Sequence, residues 1–129
     1  MYYVATLENS PWVKTPPPNE RILRCLISPE LDPTNHDIAC GMTELQPGCT
    51  SDFRAHDEGE MFICIAGKGH VRVGDDMVEM HPISVVYVPK NTLHQIYSDM
   101  DDTFTLLWVL TPPFGGDRMV LEMAKQKDQ

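Results

Sequence analysis

The sequence predicts an all-β sandwich or barrel with one short C-terminal helix, and two observations predict the β-structure. Short runs rich in β-branched and aromatic residues recur from residue 21 to residue 110. Turn-forming segments such as PGC, GKG, GDD and PKN separate these runs. In chain order the runs are RILRCLIS, HDIACGMTEL, EMFICIA, HVRVG, MVEM, SVVYV, LHQIYS and TFTLLWVL.

Helical periodicity is confined to the last segment of the chain. There, Asp117 is placed to cap a helix, and the apolar residues after it recur at a spacing that puts them on one face. These apolar residues are Met119, Val120, Met123 and Ala124. We therefore expect one short helix packed on the β-structure.

The length of 129 residues predicts one domain with its own core. Residues 1–20 are interpreted as an N-terminal arm, because the proline run TPPPNE at its end can form neither helix nor central strand. Residues 21–129 then form the barrel and its helix.

Composition and charge exclude several function classes. A net charge of −9 without a basic cluster argues against nucleic acid as a partner. The sequence shows neither a signal peptide nor an apolar run long enough to cross a bilayer, so we expect a cytoplasmic protein that does not bind membranes. Its four cysteines lack CxxC spacing and are interpreted as reduced, mostly structural residues.

A group of polar residues is the strongest candidate for chemistry. Arg54 and His56 share strand parity, Glu60 follows across a short turn, and His94 opens a later run behind the PKN turn. A barrel would bring these residues together. Two imidazoles and a carboxylate suit a divalent transition metal such as Fe, Zn, Mn, Ni or Co.

The spacing of these residues resembles the first and second motifs of the cupin superfamily. Gly48, five residues, Arg54-Ala55-His56, three residues, Glu60, six residues and Gly67 match the first motif, with Arg54 where the family has a histidine. The second motif is matched at Pro89 and His94, with Ile83 and Asn91 in place of its glycines and Ser98 in place of its asparagine. The resemblance implies a double-stranded β-helix, or jelly roll, and at most three metal ligands: His56, Glu60 and His94.

Arg54 cannot be the fourth ligand, because a guanidinium stays protonated and has no lone pair to donate. Three interpretations stay open. Its fork could hold an anionic substrate, it could pair with an acid such as Asp52 or Glu44, or it could extend into solvent at the rim.

The remaining site predictions depend on which way each strand faces. Glu44, Tyr87 or Tyr97 could act as acid or base beside the metal. We expect an inner lining of Met42, Glu44, Phe62, Ile96, Phe104, Leu106 and Trp108. Cys64 could join the lining or the ligands, whereas His36, His70 and His81 are interpreted as structural.

The resemblance predicts a metal-dependent enzyme of oxygenase, isomerase, lyase or decarboxylase type, acting on a small acidic or oxygenated metabolite. Two alternatives are a binding module for a small anion centred on Arg54 and a metal-bound structural or regulatory protein. The outward apolar side chains Met61, Ile63 and Ile65 would need cover, which a partner subunit, the N-terminal arm with Trp12 or the C-terminal helix could supply. The resemblance implies a homodimer, because cupins commonly dimerise in this way.

Overall fold

The structure is a computed structural model that describes residues 2–127. It contains nine strands and one helix, in the order β1 (Trp12–Thr15), β2 (Arg21–Ile27), β3 (Ala39–Leu45), β4 (Gly59–Ala66), β5 (Gly69–Val73), β6 (Asp76–Met80), β7 (Val85–Val88), β8 (His94–Ser98), β9 (Phe104–Thr111) and α1 (Gly116–Lys127). The eight predicted runs correspond to β2 through β9, and the predicted helix is α1.

The strands form two antiparallel sheets. The six-stranded sheet has the order β1-β2-β3-β9-β4-β7, and the three-stranded sheet has the order β6-β5-β8. Neighbours such as β3 and β9 are distant in sequence, as in a jelly roll. The predicted all-β fold is confirmed.

Alternation along each strand places the core between the sheets. On β9, the four inward side chains Phe104, Leu106, Trp108 and Leu110 are buried and the residues between them are half-buried. The three-stranded sheet contributes Val71 of β5 and other buried residues to the same core. The apolar cluster therefore lies between the sheets, and the candidate site lies beside it.

Part of the predicted N-terminal arm belongs to the six-stranded sheet. Residues 12–15 form β1, which pairs antiparallel with β2 from Trp12↔Arg24 to Thr15↔Arg21. The sequence did not predict this strand, because its four residues lie between an irregular segment and the proline run. The pairing fixes the first residue of β2, Arg21, at one end of the sheet.

The helix begins as the sequence predicts, with Asp117 in its first turn. The Asp117 carboxylate accepts hydrogen bonds from the backbone N–H of Phe114 at 2.8 Å and from the Ser28 hydroxyl at 2.7 Å. Val120 and Ala124 are buried against the sheet. No helix in residues 2–127 is both long and apolar enough to span a bilayer.

The turn before β8 has the conformation expected of its sequence. Asn91 has a φ of 63°, which asparagine tolerates better than most residues, and its N–H donates to the His56 carbonyl at 2.7 Å. This hydrogen bond joins the two segments that carry the candidate histidines.

Candidate metal centre

The side chains of His56, Glu60 and His94 converge at the seam between the sheets. His56 Nε2 lies 3.1 Å from Glu60 Oε1, and His94 Nε2 lies 3.2 Å from the same oxygen. The three donor atoms all lie within 4.8 Å of one another. Glu60 is on β4 of the larger sheet and His94 is on β8 of the smaller one.

Both imidazoles are oriented by backbone carbonyls. His56 Nδ1 lies 3.0 Å from the Glu58 carbonyl oxygen, and His94 Nδ1 lies 2.9 Å from that of Thr92. A carbonyl oxygen only accepts hydrogen bonds, so each Nδ1 must carry the proton. A ring that carries its proton on Nδ1 alone has its Nε2 lone pair directed at the centre, as in histidines that ligate a metal.

The charges of the group are strongly coupled. The hydrogen bond with Glu60 raises the pKa of His56, although burial opposes the shift. Burial disfavours ionisation of Glu60, but hydrogen bonds with His56 and His94 outweigh it and lower the pKa of the carboxyl group. Glu60 is therefore a carboxylate although it is only 9% exposed.

This donor set fits a divalent metal ion. Two ligands bound about 2.1 Å from one ion lie about 3.0–3.4 Å apart for octahedral or tetrahedral angles, and both nitrogen–oxygen distances at Glu60 are of this size. Two Nε2 lone pairs facing one carboxylate oxygen also require a cation between them, either a proton or a metal. Two imidazoles and one carboxylate leave open coordination positions.

Arg54 lies beside His94 at the rim of the site. The two residues form an antiparallel bridge, with N–H to O=C distances of 3.1 and 3.0 Å, so their side chains lie on the same face. Arg54 is exposed, and among residues 2–127 it forms no ion pair. The predicted pairing of Arg54 with Asp52 or Glu44 is thus not present in the structure.

A partly open cavity of about 80 Å³ extends from the three converging side chains into the barrel. Thr43, Phe62 and Trp108 form part of its wall, and Met119 and Val120 of α1 contribute another part. The Trp108 indole N–H donates to the Thr43 hydroxyl at 3.1 Å. Gly41 is required here, since a Cβ at this position would overlap the indole.

Glu44 and Tyr87, predicted as catalytic residues, are not among the side chains that line the cavity. On β3 the cavity residue is Thr43, and Glu44 faces the opposite way, 3.4 Å from Arg24. Tyr87 is 58% exposed on the outer face of β7, one residue away from Val88, which pairs with Glu60. Both predictions are corrected because strand alternation places these side chains on the other face.

The predicted lining is reproduced in part. Phe62, Ile96 and Trp108 line the cavity. Phe104 and Leu106 face inward but lie deeper in the core, and Met42 shares the outward parity of Glu44. The Cys64 thiol is buried 3.7 and 3.6 Å from two backbone carbonyls and is not part of the metal group.

Two lining residues outside the predicted site carry charge. Arg21, the first residue of β2, is only 8% exposed, and Asp52 lies two residues before Arg54. Among residues 2–127, Asp52 is the only carboxylic acid besides Glu60 that lines the cavity. Arg21 shares its face of β2 with Leu23 and Cys25, both of which are buried, but the local pattern held no signal that favoured this face over that of Arg24.

Comparison with known proteins agrees with this geometry. The Cupin domain family matches residues 41–110, which include Glu60, His94 and the strands between them. This chain belongs to the cupin family. A protein of Streptomyces coelicolor, itself described as uncharacterized, is 27% identical over 77 residues, which is 60% of this chain and 72% of that protein.

Solved cupin structures share the fold at low sequence identity. KdgF from Halomonas sp. superimposes with a TM-score of 0.73 at 12% identity, over 90% of this chain and 98% of its own. Oxalate decarboxylase from Lactobacillus farciminis in a formate complex superimposes with a TM-score of 0.77 at 19% identity, over 89% of this chain and 35% of its own. At these identities the likeness establishes the jelly-roll fold of this cupin and not its reaction.

Proposed function

We propose that this cupin is a metal-dependent enzyme that acts on a small acidic metabolite. His56, Glu60 and His94 would hold one divalent transition metal, with Fe, Zn, Mn, Ni and Co as the candidates. The observation that carries the proposal is the convergence of two carbonyl-oriented Nε2 atoms on a single carboxylate oxygen.

A bound metal would supply Lewis-acid polarisation of a substrate oxygen in its open positions. Arg54, beside His94 and free of ion pairs with described residues, is placed to neutralise an anionic group at the rim. Asp52 is the available carboxylic acid for proton transfer. The apolar side chains of Phe62 and Trp108 line the cavity and would limit the access of water to its inner end.

The alternative is a binding module without turnover, and the free guanidinium of Arg54 favours it. A small anion held at the rim would need no chemistry from the metal. The two functions differ in one measurement: the enzyme consumes a small carboxylic or hydroxy acid when metal-loaded, whereas the module binds it unchanged. Nuclear magnetic resonance of acid mixtures incubated with loaded protein separates these outcomes.

The metal is tested by elemental analysis of the untagged protein and of two histidine variants. We expect about one equivalent of metal per chain in the wild type. His94→Ala should lose it because one of three donors is gone. His36→Ala is the matched control, because His36 is exposed and lies outside the metal group.

Thermal stability gives an independent readout of the same site. At a free metal concentration 100 times the dissociation constant, binding should stabilise the folded state by about 2.7 kcal/mol. Wild type and His36→Ala should show this gain, and His94→Ala should not. Equal metal content and equal stabilisation in all three proteins would refute the ligand set.

The homodimer and the cytoplasmic location remain predictions. Ile65, Val85 and Tyr87 are exposed on the outer face of β4 and β7 and are the surface we propose for a second copy. Light scattering of the wild type and of a Val85→Lys variant tests this: the variant should be monomeric at concentrations where the wild type is dimeric.

A further inference from the structure

The cavity contains a buried charge that the proposed metal site does not use. Arg21 begins β2, where its backbone is paired with Thr15 on one side and Leu45 on the other. Its side chain shares the inward face with Leu23 and lines the cavity together with His56, Glu60 and His94. Sheet pairing on both sides thus holds the guanidinium inside the barrel.

Arg21 Nη1 has no hydrogen-bond partner. It is enclosed away from solvent, and none of residues 2–127 accepts a hydrogen bond from it. A buried N–H of a charged group that is left unpaired is costly and therefore uncommon in folded proteins. The Arg21 side chain also lines the cavity, so a guanidinium turned toward the cavity would find its missing acceptor in a ligand.

The electrostatics around Arg21 favour an anion. Burial lowers the pKa of Arg21; nearby Asp52 opposes this shift and nearby Arg54 adds to it. A guanidinium nevertheless stays protonated in proteins. The two arginines balance the carboxylates of Asp52 and Glu60, so the cavity wall has no excess of negative charge, although the whole chain carries a charge of −9. A dication at the three donors would make the cavity positive.

Size and shape select among small anions. The cavity of about 80 Å³ is roughly half the 150 Å³ that accommodates benzene in an engineered cavity. Much of its wall is apolar, including Phe62, Trp108 and Leu110. The two oxygens of a carboxylate lie in one plane and match a guanidinium fork, and a single planar carboxylate suits a cavity of this size.

We infer that Arg21 binds the carboxylate of a small carboxylic acid in this cavity, and so determines the ligand class of the site. The inference rests on the proposed function in one respect, since a second oxygen of the same ligand would face His56, Glu60 and His94. Arg54 then lies at the rim as a second cation, and Arg21 is the inner anchor.

The test compares two substitutions on one strand. Arg21→Met removes the inner guanidinium and keeps a side chain of similar length. Arg24→Met is the matched control, since Arg24 lies on the opposite face of β2 and pairs with Glu44 at 3.4 Å. Binding of acetate, pyruvate and malonate is measured by calorimetry on metal-free and metal-loaded protein, with acetamide as the uncharged analogue of acetate.

We expect wild type and Arg24→Met to bind at least one of these acids with affinities within about twofold of each other, and acetamide not to bind. Arg21→Met should weaken acid binding by about tenfold or more, because a charge-assisted hydrogen bond is lost. Its metal content should equal that of the wild type. Unchanged acid affinity in Arg21→Met, or no binding of any of the three acids to the wild type, would overturn the inference.

The melting temperature of the ligand-free variants separates recognition from a structural role. A guanidinium with an unpaired buried donor does not stabilise the empty protein, so Arg21→Met should melt at or above the wild-type temperature. A clear decrease would mean that Arg21 holds the fold together and would overturn the inference.

Failure of the metal proposal can be distinguished from failure of this one. If the protein takes up no metal but binds acids through Arg21, the metal-dependent function fails and the carboxylate site stands. If metal binds but Arg21→Met leaves acid affinity unchanged, only the carboxylate site fails.

Discussion

Replacing Thr43 by valine tests whether the cavity wall is positioned by the hydrogen bond between β3 and β9. Valine has nearly the same shape as threonine but cannot accept the proton of the Trp108 indole. The two residues are 4% and 5% exposed, and the bond is 3.1 Å long. The variant therefore leaves a buried N–H without a partner, with water largely excluded.

The expected effect follows from the cost of an unsatisfied buried donor, about 1–3 kcal/mol. For 129 residues, an unfolding entropy of about 2.1 cal/mol/K per residue gives about 270 cal/mol/K at the melting temperature. One kcal/mol then corresponds to a shift of about 4 °C, so Thr43→Val should lower the melting temperature by about 4–11 °C.

The assay is thermal unfolding followed by circular dichroism, with the tryptophan fluorescence of the native state as a second signal. Thr105→Val is the control: Thr105 is on β9 and half-buried, and its hydroxyl forms no hydrogen bond with residues 2–127. In the Trp108→Phe background, Thr43→Val should lower the melting temperature by less than it does in the wild type, because no indole N–H is left to lose its partner. A Thr43→Val melting temperature equal to that of the control would refute the reasoning.

Two further predictions concern buried polar groups. Burial raises the pKa of the Cys25 thiol to about 12, and burial also raises the pKa of the Cys64 thiol. At pH 8, neither thiol should therefore be alkylated by iodoacetamide until the protein unfolds. Modification of either cysteine in the native protein, detected by mass spectrometry of the digest, would contradict their buried positions. Asp117→Ala should destabilise the fold by about 2 kcal/mol, because the N–H of Phe114 and the hydroxyl of Ser28 lose their acceptor, and a denaturant midpoint unchanged from the wild type would contradict this assignment.

Much of the fold could be predicted because the strands are short, separated by clear turns and followed by a single helical segment. The proximity of His56, Glu60 and His94 could be predicted from motif spacing. Strand facing could not be predicted where no motif residue anchors it. On β3, Met42 and Glu44 lie on one face and Gly41 and Thr43 on the other. Neither pair is clearly the more apolar, so alternation alone did not show that Thr43 faces inward.

The same limit explains why Arg21 was missed and Tyr87 was misplaced. In RILRCLI each of the two possible faces contains one arginine, and only the pairing with β1 and β3 decides which arginine is buried. The facing of Tyr87 depends on the register Glu60↔Val88, a long-range pairing that is not visible in the local pattern. Parity within one strand becomes informative only once its partners are known.

Because Glu60 belongs to one sheet and His94 to the other, the distance between their donor atoms depends on how far apart the two sheets lie. That separation is set by interior side chains such as Phe104, Leu106 and Val71, which are fully buried between the sheets. Replacing any of them by a larger or smaller side chain would change the distance between the candidate ligands Glu60 and His94. We therefore expect substitutions in the apolar interior, remote from every candidate ligand, to change which metal the proposed site prefers.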